Sequence, residues 1–269
     1  MTIAVLGAGK MGGALVRGWV AAGVVEPRHL RVHDPSESAL AKVVEFTGAI
    51  GCGSASDAVR GADVVLLAVK PWLVTTVCAG IAAELGPKCL VLSIAAGIRT
   101  ATIEEALSPG QPVVRAMPNT PALVGASATG YCRGQAATAQ DAERTQALFD
   151  AVGSAVEVTE PQMDAVLGVA SSGVAYLYLA IEAMADGGVR AGLPRELATT
   201  LAAQTALGAA RMVLETGEHP AVLKDQVTTP AGTTIEALAT LERAGARSAF
   251  VEAVMAATER SRALGKPGG

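Results

Sequence analysis

A glycine-rich turn directly after the first apolar run constrains the fold of this chain more than any other feature. Residues 2–6 have the composition of a buried β-strand, and Gly7–Gly12 then follow the pattern G-x-G-x-x-G before a helical pattern begins. In that context Gly7 permits a tight turn, Gly9 lets the backbone approach a pyrophosphate, and Gly12 allows close packing of helix and strand. The N–H groups at the helix N-terminus attract the negative charge. The turn therefore predicts an α/β fold that binds a dinucleotide.

Short apolar runs alternate with amphipathic segments over the first 160 residues. After residues 2–6, strands are predicted at Leu30–His33, Val64–Val69, Cys89–Ile94, Pro112–Ala116 and Ser154–Val158. Helices are predicted between them at Met11–Ala22, Glu37–Thr47, Leu73–Glu84 and Ala139–Ala151. Strands buried on both faces and separated by helices indicate βαβ units. We therefore expect an α/β Rossmann-type parallel sheet domain over residues 1–160.

The pattern changes after Pro161, where no further strand is predicted. Helical patterns cover Gln162–Arg190, Pro194–Glu215, Thr234–Arg243 and Arg247–Leu264. We place a domain boundary near Glu160–Pro161 and expect an all-helical domain over residues 161–269. Its alanine-rich helices hold few large side chains, so we expect them to pack against a second copy of the chain. The uncharged stretch Ala165–Ile181 nears membrane-spanning length, but an interface helix explains its serines, glycines and flanking acids better than a bilayer.

Charge and cysteine content narrow the partners and the compartment. The formal net charge of -4 and the scattered basic residues argue against a nucleic-acid partner. The four cysteines form no C-x-x-C pair and the chain has only three histidines, so no metal site is predicted. The apolar start is too short for a secretory signal, and unpaired thiols are typical of a cytoplasmic protein.

Asp34 follows the second predicted strand, where an acid binds the ribose 2′-OH of NAD. A 2′-phosphate would be repelled there unless Arg31 or Ser36 compensates. Asp34–Ser36 is equally good turn chemistry, in which the acid has no ligand role. Both NADH and NADPH therefore remain candidate cofactors.

Three further turns follow predicted strand ends, at residues 68–71, 94–97 and 115–121. Ligands of open α/β sheets bind beyond the carboxyl ends of the strands, so these turns are predicted to converge on the cofactor crevice. The second half contains DQVTTPAGTTIE at residues 225–236, EAMADGG at 182–188 and TGEHP at 216–220. With these segments the chain resembles the pyrroline-5-carboxylate reductase family over essentially its whole length. The segment Thr228–Glu236 is specific to that family, whereas the glycine pattern is shared by many.

The resemblance implies a fold, a reaction and a set of site residues. Members join a dinucleotide domain to a helical domain that interlocks two subunits, and these homodimers often assemble into decamers. They use NADPH or NADH to reduce a small molecule, Δ1-pyrroline-5-carboxylate, to L-proline in the last step of proline biosynthesis. Together with Asp34, the residues expected to bind the cofactor are Leu6, Gly7, Ala8, Gly9, Lys10, Met11, Gly12, Ala68, Val69, Lys70, Pro71, Ala95, Ala96 and Gly97. The residues expected to bind the substrate are Gln226, Thr229, Thr233 and Thr234.

One segment departs from the family pattern. Residues 170–176 read ASSGVAY, where the family usually has Ser-Gly-Ser-Gly/Ser-Pro-Ala-Tyr. Ser172 and Tyr176 are retained, but packing within an apolar helix is the commoner role for such residues. We expect the departure to affect substrate fit or rate more than the fold.

The segment Thr233–Glu236 also has a meaning independent of the family. Its T-x-x-E pattern predicts a capping box, in which Thr233 caps the N3 amide and Glu236 reaches back. An ordinary capped helix is one interpretation, and a helix N-terminus that holds the substrate carboxylate is the other. Reduction of a C=N bond needs alignment of the hydride donor and a hydrogen bond at nitrogen, which the Thr234 hydroxyl is suited to provide. Lys70 is the one basic candidate, and packing of its stem under the cofactor is the favoured interpretation.

Two other function classes compete with this interpretation. A β-hydroxyacid type dehydrogenase would need a catalytic lysine in the second domain, where only Lys224 and Lys266 occur and neither lies in the first long helix. A dinucleotide-binding redox sensor would keep the glycine turn without needing the threonine segment.

Overall fold

The computed structural model describes residues 1–264, which fall into two compact units. The first unit contains Met1–Ser171 together with residues 257–264, and the second contains Ser172–Ala256. All of the described strands belong to the first unit, and the second is helical. A sheet-containing unit followed by a helical unit confirms the predicted fold class.

One sheet organises the first unit. Its eight strands are β1 (Ile3–Leu6), β2 (Leu30–His33), β3 (Ile50–Gly51), β4 (Val64–Leu67), β5 (Leu90–Ser93), β6 (Val113–Met117), β7 (Ser127–Arg133) and β8 (Gly153–Glu157). They are ordered β3-β2-β1-β4-β5-β6-β7-β8 across the sheet, and β1 to β6 are parallel. The chain order reverses between β1 and β4, which makes their carboxyl ends the topological switch point where such sheets bind ligands.

Helices cover both faces of the sheet. In chain order they are α1 (Lys10–Ala21), α2 (Glu37–Thr47), α3 (Ala55–Val59), α4 (Val74–Ile81), α5 (Thr100–Glu105) and α6 (Ala139–Asp150). Alternate residues of β1 enter two cores: Ile3 and Val5 pack with α1, α2 and α6, whereas Ala4 and Leu6 pack with α3, α4 and α5. Burial on both faces explains why the parallel strands are continuous apolar runs.

The last two strands depart from the parallel arrangement of the first six. β7 runs antiparallel to β6, and β8 then runs parallel to β7. The connection Pro118–Ala126 between β6 and β7 is shorter than the dozen or so residues that a parallel crossover needs, so the chain turns back. The carboxyl ends of β7 and β8 therefore lie on the side of the sheet where β1 to β6 begin, away from the switch point.

The sequence patterns missed the shortest elements of this unit as well as β7. β3 has only two residues, and α3 and α5 have five and six. Elements of this length span less than two helical turns or two strand alternations, so they carry no readable period.

The second unit is built from helices with small residues at their contacts. These helices are α8 (Gly173–Arg190), α9 (Arg195–Thr216), α10 (Pro220–Gln226), α11 (Thr233–Arg243) and the first part of α12 (Ala246–Leu264), and they follow a four-residue α7 (Met163–Val166) of the first unit. Where α8 meets α9 the buried residues are Ala185, Ala198 and Ala202. The short α10 was not predicted. A contact made of alanines buries little apolar area, so this unit has a thin core of its own.

Large apolar side chains lie on the outside of these helices. Leu177, Tyr178 and Leu179 of α8 are exposed, as are Leu207 and Leu214 of α9. Two stretches, Glu160–Arg190 and Arg195–Thr216, are long and apolar enough to cross a membrane by length and composition, yet only 6% and 11% of their apolar windows are buried in the chain. A surface with this many large exposed apolar side chains is typical of a contact with another molecule.

Residues 160–171 belong to the sheet-containing unit. Met163 is buried against Met117 and Cys132. The Ser261 hydroxyl of α12 donates a hydrogen bond of 2.6 Å to Asp164. These contacts place the division between compact units at Ser171, later than the boundary expected near Glu160–Pro161. The assignment of residues 161–269 to one functional domain stays a prediction.

Glu160 fastens this segment to two elements near the carboxyl ends of β5 and β6. One carboxylate oxygen accepts the Thr100 N–H at 2.9 Å, and the other accepts the Thr100 hydroxyl at 2.5 Å. The Arg115 guanidinium of β6 lies 3.4 Å from the same carboxylate. Arg115 is 4% exposed, its Nε has no hydrogen-bond partner within the described chain, and Glu160 is 27% exposed. Glu160 therefore holds the start of α5 and supplies the charge that compensates a buried guanidinium.

Removal of this carboxylate should destabilise the protein. We expect Glu160→Gln to lower the free energy of unfolding by about 3 kcal/mol, because Arg115 is left buried without a counter-charge. The double variant Glu160→Gln, Arg115→Met should regain part of that loss, since it removes the stranded charge. Urea unfolding at one fixed protein concentration measures both.

The control is the exposed pair Arg133–Glu157, whose atoms are 2.6 Å apart and whose side chains are each 40% exposed. Glu157→Gln should change the unfolding free energy by no more than about 1 kcal/mol. Equal losses of unfolding free energy for Glu157→Gln and Glu160→Gln would show that the buried Glu160–Arg115 pair stabilises the protein no more than an exposed pair does.

Candidate active site

The glycine turn is wedged between its own strand and the neighbouring β4. Gly7 has a φ of +112°, and its N–H donates to the His33 carbonyl at 2.9 Å. A Cβ on Gly7 would collide with the Ala68 carbonyl, and a Cβ on Gly12 would collide with the Gly7 carbonyl. Side chains are therefore excluded at both glycines, and Ala68, which follows β4, is held directly against the turn.

Gly9 differs from its neighbours because it borders open space. A Cβ built on Gly9 would have no heavy atom within 4 Å. Gly9 is the N-cap of α1, and no side chain caps this helix. First-turn N–H groups lack intrahelical partners, so they are available to a phosphate. The turn is closed at Gly7 and Gly12 and open at Gly9, which fits the pyrophosphate of a dinucleotide.

Asp34 uses both carboxylate oxygens to hold backbone. One accepts the Ala8 N–H at 2.7 Å, and the other accepts the Ser36 N–H at 2.8 Å. The Arg31 guanidinium donates instead to the Arg60 carbonyl at 2.6 Å. Asp34 thus ties the end of β2 to the glycine turn, and Arg31 is directed away from it.

The turn after β4 lies beside the glycine turn because β4 pairs with β1, and the turn after β5 is the next along the sheet because β5 pairs with β4. Residues Ala68, Val69, Lys70 and Pro71 follow β4, and the Ala68 N–H donates to the Leu6 carbonyl at 2.8 Å. Ala95, Ala96 and Gly97 follow β5, with Ala96 exposed and Gly97 at a φ of +76°. Lys70 is exposed, and no hydrogen bond or ion pair holds its ammonium within the described chain. The predicted cofactor residues of the sheet are thus brought together at the switch point.

The turn after β6 has a structural role. The Asn119 amide donates to the Ala170 carbonyl at 3.0 Å, and its oxygen accepts the Ala128 N–H at 3.1 Å. Asn119 is buried, as are the residues from Arg115 to Pro118. This turn joins β6, β7 and the segment that ends at Ser171, and its polar side chain faces protein.

A cavity of about 780 Å³ lies beside the glycine turn. It is lined by residues Ala8 to Lys10 of the turn, by Arg17 of α1, and by residues of α2 that include Ser38 and Lys42. No sequence pattern singled out Lys42, because the cavity that it lines together with Lys10 exists only where α1 and α2 pack side by side.

In the helical unit, the predicted capping box at Thr233–Glu236 is wrong. α11 begins at Thr233 with Gly232 as its N-cap, and no side chain makes a capping hydrogen bond. The Gly232 N–H donates to the Thr229 carbonyl at 3.0 Å. This turn starts the helix one residue earlier than a box would require, so Thr233 takes the first helical position, where its hydroxyl does not cap. The first-turn amides of α11 are left open.

The threonine turn keeps its hydroxyl groups free. Thr229, Thr233 and Thr234 make no side-chain hydrogen bond within the described residues, whereas the neighbouring Thr228 hydroxyl donates to the Lys224 carbonyl at 2.7 Å. Ala231 has a φ of +54°, and no other non-glycine residue of the described chain has a positive φ. Such strained backbone clusters at functional sites.

Three other side chains of this unit have partners within it. The Gln226 amide donates to Glu218 at 2.9 Å, so one of its predicted substrate-binding groups is already engaged. The Tyr176 hydroxyl donates to the Ala253 carbonyl at 3.2 Å. Asp186 pairs with Arg195 at 2.5 Å, which fits a solvated ion pair on the surface of α8.

The buried thiols do not act as nucleophiles at neutral pH. Burial raises the pKa of Cys78 to about 11 and that of Cys89 to about 12. Burial, reinforced by the charge of Glu160, raises the pKa of Cys132 to about 12. Protonated thiols are poor nucleophiles and poor metal ligands.

The chain matches two known families over complementary segments. Residues 160–264, which include the threonine turn, match the family described as pyrroline-5-carboxylate reductase dimerisation. Residues 2–97 match the family described as NADP oxidoreductase, coenzyme F420-dependent. These residues include the glycine turn and the turns after β4 and β5.

Whole-length similarity agrees with both matches. Pyrroline-5-carboxylate reductase from Methanosarcina acetivorans is 47% identical over 98% of each chain. A solved pyrroline-5-carboxylate reductase from Coxiella burnetii is 36% identical, covers 99% of each chain and superposes with a TM-score of 0.93. The Plasmodium falciparum pyrroline carboxylate reductase, solved with NADP bound, is 32% identical over 99% of this chain and 98% of its own, with a TM-score of 0.88. The chain belongs to the pyrroline-5-carboxylate reductase family.

Proposed function

We propose that this protein is an NAD(P)H-dependent imine reductase that converts Δ1-pyrroline-5-carboxylate to L-proline, the last step of proline biosynthesis. The observation that carries the proposal is the pairing of two open anion-binding turns in one chain. One is the glycine turn at the start of α1, and the other is the threonine turn at the start of α11. A dinucleotide and a small carboxylate are ligands that these two turns fit.

The cofactor residues follow from the turns at the switch point. Residues Leu6–Gly12 would hold the pyrophosphate through backbone N–H groups, with Gly9 giving the closest approach. Residues Ala68–Pro71 and Ala95–Gly97 would border the nicotinamide half. A bound nicotinamide supplies the hydride, and the chain supplies its position.

The substrate residues follow from the threonine turn. The carboxylate of the substrate would accept hydrogen bonds from the first-turn amides of Thr233 and Thr234 and from the Thr229 hydroxyl. Gln226 would lie at the edge of this binding site. The dipole of α11, a helix of 11 residues, favours the anion at this end. No arginine is needed, because each of these donors is unpaired among the residues that the structure describes.

The chemistry places few demands on acid catalysis. A protonated imine is already electrophilic, so the protein need not supply a strong acid. Alignment of the ring carbon with the hydride donor can lower the barrier by roughly 7–11 kcal/mol. The Thr234 hydroxyl would hydrogen-bond to the ring nitrogen, a role typically worth about 10²–10⁴-fold in rate. The buried thiols and the paired Asp186 are not available for this role, whereas the hydroxyl groups of the threonine turn are unpaired within the described residues.

Assembly and compartment complete the proposal. The exposed apolar faces of α8 and α9 would be covered by a second copy of the chain, which gives a homodimer and, as in many members of the family, decamers. Such cover explains the membrane-like composition of these helices without a bilayer. The partners are a small-molecule substrate and another subunit, with neither nucleic acid nor membrane, and unpaired cysteines fit the cytoplasm.

Turnover tests the reaction itself. The purified protein should oxidise NADH or NADPH when Δ1-pyrroline-5-carboxylate is added and should form proline in equal amount. The reaction is followed by absorbance of the reduced cofactor and by proline analysis. Cofactor binding without imine-dependent oxidation would contradict the proposed reaction and would favour a dinucleotide sensor.

The Thr234 hydroxyl provides a sharper test. Thr234→Ala should lower kcat at least about tenfold, because the hydrogen bond at nitrogen is lost while α11 is retained. Thr234→Ser keeps the hydroxyl and should recover most of the rate. Thr240→Ala, a control on the same helix, removes a hydroxyl that donates to the Glu236 carbonyl and accepts from the Arg243 guanidinium, both within α11. Steady-state kinetics on the assembled proteins gives the comparison, and an unchanged kcat in Thr234→Ala would remove this residue from the mechanism.

The proposed dimer contact is tested on α8. Leu179 is 66% exposed in the single chain, and Leu179→Glu should dissociate the dimer because a charge cannot be buried unpaired in an apolar contact. Val156→Glu serves as the control, since Val156 is 58% exposed but lies on the edge strand β8. Sedimentation across a concentration series reports the mass. A Leu179→Glu protein as large as the wild type would place the contact elsewhere.

A further inference from the structure

The cavity beside the glycine turn carries an excess of positive charge. Lys10, Arg17 and Lys42 line it, and Glu45 is the one carboxylate among its lining residues. The Arg17 guanidinium is engaged, because it donates to the Gly13 carbonyl at 3.1 Å and lies 5.3 Å from the centre of the Phe46 ring. Two lysine ammonium groups therefore face this cavity as its available cations.

Neither ammonium has a partner in the described part of the chain. No hydrogen bond or ion pair is made by Lys10 or by Lys42 there, and Glu45 is also unpaired. Four arginines of the first unit differ from them, since Arg31, Arg60, Arg115 and Arg133 each have a specific acceptor. Two unpaired lysines from different helices on one cavity are suited to an anionic group of a ligand.

The position of the cavity indicates which anion it would hold. Lys10 begins α1, next to the amides that fit a pyrophosphate. Lys42 lies on α2, the helix that follows β2, and the end of β2 is where this class of fold contacts the adenosine ribose. An anion between the two lysines is therefore on the ribose side of the pyrophosphate, where only NADPH carries an additional phosphate.

The position of Asp34 at the end of β2 suggests that its carboxylate would repel a 2′-phosphate, but its contacts give it another role. Both of its oxygens accept backbone N–H groups, so its presence is explained by the contacts that hold the glycine turn and the start of α2. The residues that could have compensated its charge do not do so. Arg31 points to the Arg60 carbonyl, and the Ser36 hydroxyl caps α2 by accepting the Ala39 N–H at 3.4 Å.

We propose that Lys10 and Lys42 form the binding site for the 2′-phosphate of NADPH and make this protein prefer NADPH to NADH. The proposal rests on the proposed dinucleotide function and specifies its cofactor. Lys42 is the selective element, because it is on the ribose side, and Lys10 closes the site from α1. Ser38, the second residue of α2, also lines the cavity, and its hydroxyl, 3.1 Å from the Ser36 hydroxyl, would add a donor.

Two nucleotides that differ only in the 2′-phosphate test the site. Adenosine 2′,5′-bisphosphate and adenosine 5′-monophosphate are titrated by calorimetry into the full-length assembled protein. The wild type should bind the bisphosphate at least about tenfold more tightly, the range expected for charge-assisted contacts to a phosphate. Lys42→Ala should lower that ratio at least about fivefold, and Lys42→Arg, which keeps the charge, should preserve it.

Controls separate this site from general electrostatics. Lys88→Ala removes an exposed lysine outside the cavity and should leave the ratio unchanged. Equal affinity of the wild type for the two nucleotides would overturn the proposal. An equal loss for both nucleotides in Lys10→Ala and Lys42→Ala would also overturn it, because the lysines would then bind the shared 5′-phosphate.

The test is independent of the reductase reaction, since neither nucleotide carries a nicotinamide. A selective site in a protein that does not turn over the imine would contradict the proposed reaction and leave the lysine site standing. Turnover with equal kcat/KM for NADH and NADPH would contradict the lysine site and leave the reaction standing.

Discussion

The carbonyl of Ala68 leaves no room for a side chain on Gly7, and the Gly7 carbonyl leaves none on Gly12. This close contact joins β1, α1 and the turn after β4 into one rigid corner at the switch point of the sheet. Each neighbouring element is then fixed in turn: β5 pairs with β4, and the Ile94 N–H donates to the Leu67 carbonyl at 3.1 Å. The backbone is packed tightly at Gly7 and Gly12, whereas Gly9 between them borders open space. A larger residue at Gly7 or Gly12 would displace the strand as well as the turn.

Polar side chains around this corner mainly hold backbone in place. Asp34 holds Ala8, Glu160 holds the start of α5, and Asn119 holds Ala128 and Ala170. Because these groups have their hydrogen bonds satisfied within the protein, ligands are left with backbone amides, a few hydroxyls and unpaired lysines. That division fits a reaction in which alignment matters more than proton donation. It also explains why an acid at the end of β2 is weak evidence for NADH in this chain.

The sequence predicted the parts of the structure that depend on local pattern. β1, β2 and α2 lie where the apolar period placed them, and the glycine turn has the predicted shape. β7 was missed because its residues, SATGYCR, include no Val, Ile or Leu, and its antiparallel direction follows from the short connection after Met117. The capping box at Thr233 failed for a related reason: Gly232 starts the helix one residue early, and the T-x-x-E pattern does not contain that glycine. Lys42 could not be found from sequence, since its neighbourhood arises only when α1 and α2 pack together.

The helical unit shows what a low content of large buried side chains requires. Alanines at the contact of α8 and α9, together with Gly188 against Ala198, allow close backbone approach but bury little area. The large residues, among them Leu177, Leu179 and Leu214, are on the outside instead. A unit of this composition gains most of its stability when another surface covers those residues, so folding and association become one equilibrium that depends on protein concentration. The threonine turn belongs to this unit, and its strained Ala231 has to be held by the surrounding structure. On this argument the threonine turn, the proposed substrate site, acquires its final rigidity only in the assembled protein, so the proposed reaction depends on the same apolar faces as assembly.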